Sequence, residues 1–257
     1  MEIVVIGIAS LLVSLVTFFS GFGLGTILMP VFAIFFPVDV AIALTGVVHL
    51  LNNIFKLVLV GYRADKTVLL RFGIPAIIGA FIGAQLLLRI ADFKPIYEYS
   101  LGGRTFYITL VKLTIAVLLI IFSLLEVIPR FKDMQFGKNK MIIGGLLTGF
   151  FGGLSGIQGA LRSAFLLKAG LSKESFVATG IVIACLVDIS RLSVYFKRYI
   201  SSDIKENAGL LLIATLCAFA GAIFGNLLLK KLTFSIVQTI VTIMLILLSI
   251  ALGLGLI

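Results

Sequence analysis

Gly152-Gly153-Leu154-Ser155-Gly156-Ile157-Gln158-Gly159 sits in the middle of an apolar block running from about 141 to 170. An apolar helix crosses a hydrocarbon core of about 30 Å in about 20 residues. This block is too long for one ordinary span, and its glycines mark where it breaks. In lipid every backbone N–H and C=O must be satisfied, so a break at membrane depth is tolerated only where protein or a wet cavity surrounds it. The stretch predicts a broken helix or a re-entrant hairpin with a site beside it. Ser20-Gly21-Phe22-Gly23-Leu24-Gly25 interrupts the block from about 3 to 37 in the same way.

Working outward, the two breaks fall in one register. Sliding the chain by 135 residues lays Ser20-Gly21 on Ser155-Gly156, Asn53 on Asp188, Lys56 on Arg191, Leu57 on Leu192 and Arg63 on Arg198. Further on the offset becomes 142, where Gly79 and Gly83 meet Gly221 and Gly225, and Arg89 meets Lys231. The pattern predicts two tandem transmembrane repeats, 1–129 and 141–257, joined by a basic linker, 130–140. Besides the two broken blocks, apolar runs cover about 39–60, 67–90, 105–128, 174–196, 207–229 and 233–256, giving about eight hydrophobic segments. The expected fold class is an all-α polytopic membrane protein.

Composition leads to the same solvent. Of 257 residues, 61% are hydrophobic and 12% charged, and the mean hydropathy is +1.24, far from a soluble domain. The formal charge of +10 is spread over short connections such as 62–71 and 130–140, which points to topology and not to nucleic acid. A basic linker belongs in the cytoplasm. Two topologies satisfy this pattern. Either the broken blocks each cross once and both termini lie inside, or they enter and leave on one side and the halves are inverted repeats. The stretch Ala91 to Arg104 is polar and aromatic, and reads as a connecting loop near the interface. Cys185 and Cys217 lie in apolar runs without metal or disulfide spacing and read as packing residues. The first segment carries Glu2 and no small-residue cleavage site, so it is expected to remain in the mature protein.

The polar residues inside apolar blocks are the candidate site. Arg162 follows Ser155 by seven positions, where a lone guanidinium costs about 2.5–3.5 kcal/mol to insert. It reads either as a fixed cation for an oxyanion or as a snorkelling or structurally paired residue. Thr45, His49, Asn53 and Lys56 form a stripe on one helical face that should point into the bundle. Lys56 adds positive potential to an anion path or snorkels to the interface, and His49 is a packing residue or a proton carrier. Asp188 and Arg191, at i and i+3, form an ion pair, or Asp188 titrates during a transport cycle. Ser20, Ser155 and Gln158 supply neutral donors to an anion or cap helix ends. The G-x-x-x-G patterns Gly79/Gly83 and Gly221/Gly225 read as helix packing, whereas Gly21/Gly25 and Gly152/Gly156 read as parts of the site.

With Ser20-Gly21-Phe22-Gly23-Leu24-Gly25-Thr26 followed by Pro30, the first half resembles the TauE/SafE sulfite and sulfonate exporter family. Gly152-Gly153-Leu154-Ser155-Gly156 and Ala178-Thr179-Gly180 resemble its second repeat, so the resemblance covers nearly the whole chain. It implies a multi-pass inner-membrane transporter that exports sulfite, sulfoacetate or a related anion, although some members of this broad family import sulfur compounds. The expected substrate-binding set is Ser20, Gly21, Gly23, Gly25, Thr26, Asn53, Ser155, Gly156, Gln158, Gly159 and Arg162. His49, Lys56, Asp188 and Arg191 are the coupling or electrostatic set.

Other classes fit less well. One histidine and no H-E-x-x-H, C-x-x-C or G-x-S-x-G argue against an enzyme. No G-x-x-x-x-G-K-[ST] loop supports an ATP-driven pump, which leaves gradient coupling, with protons the simplest ion. An anion channel and a membrane scaffold share the composition and stay open. No cofactor and no metal are expected. The partners are the anion, lipid and a coupling proton.

Overall fold

The computed structural model describes residues 2–17, 24–128, 136–196, 198, 205–228 and 234–257. Ser20, Gly21 and Gly23 of the first predicted break, Lys231 and much of the linker lie outside the described residues. Helices α1 (Glu2–Thr17), α2 (Leu24–Ala33) and α3 (Val38–Val60) open the chain. Next, α4 (Lys66–Val68) runs through a π-helical turn, Leu69–Gly73, into α5 (Ile74–Ala91). After a hairpin comes α6 (Leu110–Val127). The remaining helices are α7 (Met141–Ser155), α8 (Gly159–Leu166), α9 (Lys173–Tyr195), α10 (Ala208–Leu228) and α11 (Phe234–Gly253).

Among the described residues, four helical stretches are long and apolar enough to cross a membrane: Val38–Val58, Lys66–Ala91, Lys173–Tyr195 and Ala208–Gly225. The 10 residues of α2 and the 8 of α8 are different. At 1.5 Å per residue they reach about 15 and 12 Å, roughly half a hydrocarbon core. Every residue of α2 is buried, as expected of a helix apolar on all sides and enclosed by others. The long helices show the reverse of a soluble pattern. Ile74, Ile78, Phe81 and Ile82 of α5, and Leu212, Leu216, Ile223 and Phe224 of α10, are exposed, while serines, threonines and charged groups are buried. That distribution suits lipid outside and a polar centre inside.

Two seams are closed by glycine. On α5, a Cβ at Gly79 would stand 2.2 Å from the carbonyl oxygen of Leu146, and one at Gly83 2.0 Å from that of Phe150. On α10, a Cβ at Gly221 would stand 2.2 Å from the Leu11 oxygen, and one at Gly225 2.7 Å from that of Leu15. Helix α5 therefore packs backbone to backbone on α7, and α10 on α1. Leu11 and Leu15 precede Leu146 and Phe150 by the same 135 positions that relate the two breaks. Helix α7 contributes its own row: Gly145, Gly149 and Gly153 face the oxygens of Phe72, Ala76 and Ala80. Between the seams, α3 packs on α9 and α6 on α11.

The architecture is all-α as expected apart from one small hairpin, which corrects the expectation of a plain connecting loop at 91–104. Strands β1 (Tyr97–Leu101) and β2 (Arg104–Ile108) pair antiparallel, Tyr97 opposite Ile108. Gly102 and Gly103, at φ 60° and 77°, form the two-residue turn, and two successive positive φ values match the right-handed twist of a hairpin. Tyr99 stacks on Phe106 at 5.3 Å and donates a 2.8 Å hydrogen bond to the Leu254 carbonyl. The apolar run starting at 105 accordingly begins as a strand. Its helix starts only after Thr109, whose hydroxyl accepts from the Lys112 amide as an N-cap.

Candidate anion site

Helix α7 ends at Ser155 and α8 begins at Gly159, with Gly156 between them at φ +79°. Only glycine adopts that left-handed conformation without a steric cost. Ser155 serves the turn itself, its hydroxyl donating to the Phe151 carbonyl at 2.8 Å and accepting from the Ile157 amide at 3.3 Å. The Tyr195 hydroxyl donates to the Gly153 carbonyl and ties α9 to the last turn of α7. Gln158 is the N-cap residue of α8, yet its side chain caps nothing. It is 2% exposed, and neither its amide oxygen nor its nitrogen has a hydrogen-bond partner.

The first half meets this turn at Gly25, where a Cβ would lie 3.3 Å from the Gly156 carbonyl oxygen and 3.7 Å from the His49 ring. Thr26, the next residue on α2, is buried as well. The polar stripe on α3 points inward: Thr45, His49, Asn53 and Lys56 are all buried. Lys56 is 6% exposed, so its ammonium does not snorkel. Asn52 joins the stripe, fully buried with both amide atoms unpartnered. Sequence reasoning missed it, although its place beside Asn53 on a helix facing the bundle was the available signal.

His49 and Asp188, 139 residues apart, join the halves: Nδ1 of His49 is 2.6 Å from Oδ2 of Asp188. With Nδ1–H donating to the carboxylate, the other ring nitrogen accepts from the Asn53 amide, 3.2 Å away. Arg191 donates from Nε to Oδ1 of Asp188 at 2.9 Å. Its Nη2 stands 2.9 Å from the same oxygen but is not aligned to donate, and Nη1 has no partner. Arg191 and Asp188 are both fully buried. The ion pair expected from i, i+3 spacing is present, and His49 extends it into a network between α3 and α9.

Arg162, on α8, lies against α9, its Nε 3.4 Å from where a Gly180 Cβ would stand. Its Nη1 is enclosed without a hydrogen-bond partner, and its charge acts on Asp188 and on Lys56. Asp188 is the one acidic side chain among the described buried residues, whereas Lys56 and Arg191 are buried cations and Arg162 adds a third beside them. Three cations beside one buried carboxylate give the centre an excess of positive charge. Such a surplus in low dielectric is costly unless an anion shares the space. Among the described residues no group of three metal-ligating side chains occurs.

Membrane-length helices with apolar outer faces, packed around a buried cationic centre, define a membrane protein. The chain belongs to the family described as sulfite exporter TauE/SafE, whose model matches residues 6–252. No curated protein and no solved structure matched the chain in the parallel comparisons. The resemblance drawn from the glycine stretches is thus borne out over nearly the full length. The family is a transporter family, and the apolar helices agree with a membrane location.

Proposed function

We propose that the protein is a secondary transporter that exports sulfite or a small organosulfonate across the inner membrane by alternating access. The anion binds where the Gly156 break meets the start of α2. Arg162, Gln158 and the uncapped amides of α8 face it, with Gly25, Thr26 and Asn53 contributed by the first half. The observation that carries this reading is the enclosed Nη1 of Arg162, a charged donor without a partner one helical turn from Gln158, whose amide atoms are also unpartnered. A planar guanidinium and helix N-terminal amides are the groups that recognise sulfur oxyanions. The matching of the two glycine seams, whose glycines are 142 positions apart and whose facing residues are 135 apart, supports tandem repeats over 1–129 and 141–257, with 130–140 between them. A multi-pass course through the four long helices and the half-length α2 and α8 follows from that arrangement. His49, Lys56, Asp188 and Arg191 form the coupling set, and the proton is the coupling ion.

The test is counterflow of radiolabelled sulfite by purified protein in liposomes, with sulfoacetate, thiosulfate and sulfate as competitors and an imposed pH gradient. Saturable counterflow that responds to the gradient is the expected result. Conductance without saturation would replace the carrier with an anion channel. Absence of flux from folded, inserted protein would leave a membrane scaffold.

A further inference from the structure

We propose that Arg191 is itself a direct ligand of the transported anion and not only the partner of Asp188. The proposal rests on the function just given and assigns a second guanidinium to its site. Asp188 takes only one edge of this side chain, through Nε at 2.9 Å. The rest of the guanidinium lies between two backbone segments from different halves. A Cβ on Gly156 would stand 2.9 Å from Nη1, and one on Gly46, in α3, would stand 3.2 Å from both Cζ and Nη2. Glycine at both positions leaves the guanidinium a slot no wider than itself. Nη1 points to the break, where Gln158 has two unpartnered atoms and α8 starts without a side-chain cap.

A fully buried guanidinium nitrogen without an acceptor carries the full desolvation cost of a charged donor. An incoming oxyanion removes that cost, and an anion with several equivalent oxygens serves Arg162 and Arg191 at once. This favours a sulfite or sulfonate head, whose three oxygens splay from one sulfur, over a monatomic anion such as chloride. The sequence suggested only a structural or coupling role for Arg191, because pairing with Asp188 at i+3 accounts for its charge. That pairing does not account for Nη1.

Isothermal titration of sulfite and of chloride into detergent-purified protein tests the assignment. Arg191→Lys keeps the positive charge beside Asp188 but removes the fork, and is expected to weaken sulfite binding at least tenfold with elution profile and helical content unchanged. Gly46→Ala leaves every charge in place and displaces the guanidinium by tenths of an ångström, so a smaller loss, about threefold, is expected. Should Arg191→Lys not fold, the neutral pair Asp188→Asn/Arg191→Gln replaces it and should likewise lose sulfite binding. Wild-type affinity in a folded Arg191 variant, or chloride bound as tightly as sulfite, overturns the assignment while leaving the transport reading intact. No sulfite binding by the unaltered protein overturns both.

Discussion

The seam between α5 and α7 and the seam between α3 and α9 are both buried, yet they are built on opposite principles. Where α5 meets α7, side chains have been removed. Gly79, Gly83, Gly145, Gly149 and Gly153 bring two backbones so close that an added carbon would stand about 2 Å from a carbonyl oxygen. Where α3 meets α9, functional groups have been added: His49 and Asp188 hydrogen-bond across the interface, and each is held on its own helix, His49 by Asn53 and Asp188 by Arg191. In lipid no hydrophobic force draws helices together, so close contact and polar pairing are the two available adhesives. The first tolerates no increase in size and the second no loss of a partner. On the transport function proposed above, the first supplies an outer frame and the second a centre whose pairings can change.

Removing one member of the central network should produce the largest effect. Asp188→Ala leaves Arg191 and the His49 Nδ1–H without their acceptor, and breaking a buried pair from one side costs about 3–5 kcal/mol. Thermal unfolding in detergent should show a drop of that order, whereas Asp188→Asn, which retains an acceptor oxygen, should lose less. Equal Tm values for the two variants would mean that the carboxylate does not hold the seam.

Arg162 tests the centre from the side of function. At sulfite one hundred times above its Kd, the unaltered protein should gain about 2.7 kcal/mol. Arg162→Gln should keep its ligand-free Tm within a degree or two and show none of that gain. Retained sulfite-dependent stabilisation would remove Arg162 from the anion site.

How much of this contrast can be read without coordinates differs between the seams. The inward stripe Thr45, His49, Asn53 and Lys56 is legible because helical period alone places these residues on one face, and lipid excludes that face. The Asp188–Arg191 pair is legible for the same local reason. What joins them is not: His49 reaches Asp188 across 139 residues, and spacing carries no information on contacts made by tertiary packing. Along α7 the many glycines drew attention to the break at 152–159 and hid the row Gly145, Gly149, Gly153, whose i, i+4, i+8 spacing was a packing signal in plain view. The hairpin was lost because a short apolar strand next to an apolar helix reads as one run. Gly102-Gly103 was the clue that separates them.

The glycine seams predict a matched pair of smaller effects. Gly83→Ala and Gly221→Ala each place a carbon about 2 Å from a backbone oxygen, which no side-chain rotation relieves. Overpacking of this kind costs about 1–3 kcal/mol, and the two variants should lose stability by similar amounts if the halves are equivalent frames. A large loss at Gly83 with none at Gly221 would break the equivalence of the α5–α7 and α1–α10 seams.

The smallest effect sharpens the comparison within one seam. Gly7 also lies on α1 facing α10, but a Cβ there would meet only side-chain atoms, Cγ2 of Ile213 at 3.5 Å and Sγ of Cys217 at 3.6 Å. Those are ordinary van der Waals distances, so Gly7→Ala adds contact without a clash. It also removes the backbone entropy that glycine carries in a helix, about 0.8–1.0 kcal/mol relative to alanine. The variant should therefore be neutral or up to about 1 kcal/mol more stable by thermal unfolding, while Gly221→Ala in the facing helix is destabilised. The opposite signs would establish that backbone approach, and not glycine content, closes the seam. A loss at Gly7 equal to that at Gly221 would show instead that the whole α1 face is too tight for any added carbon.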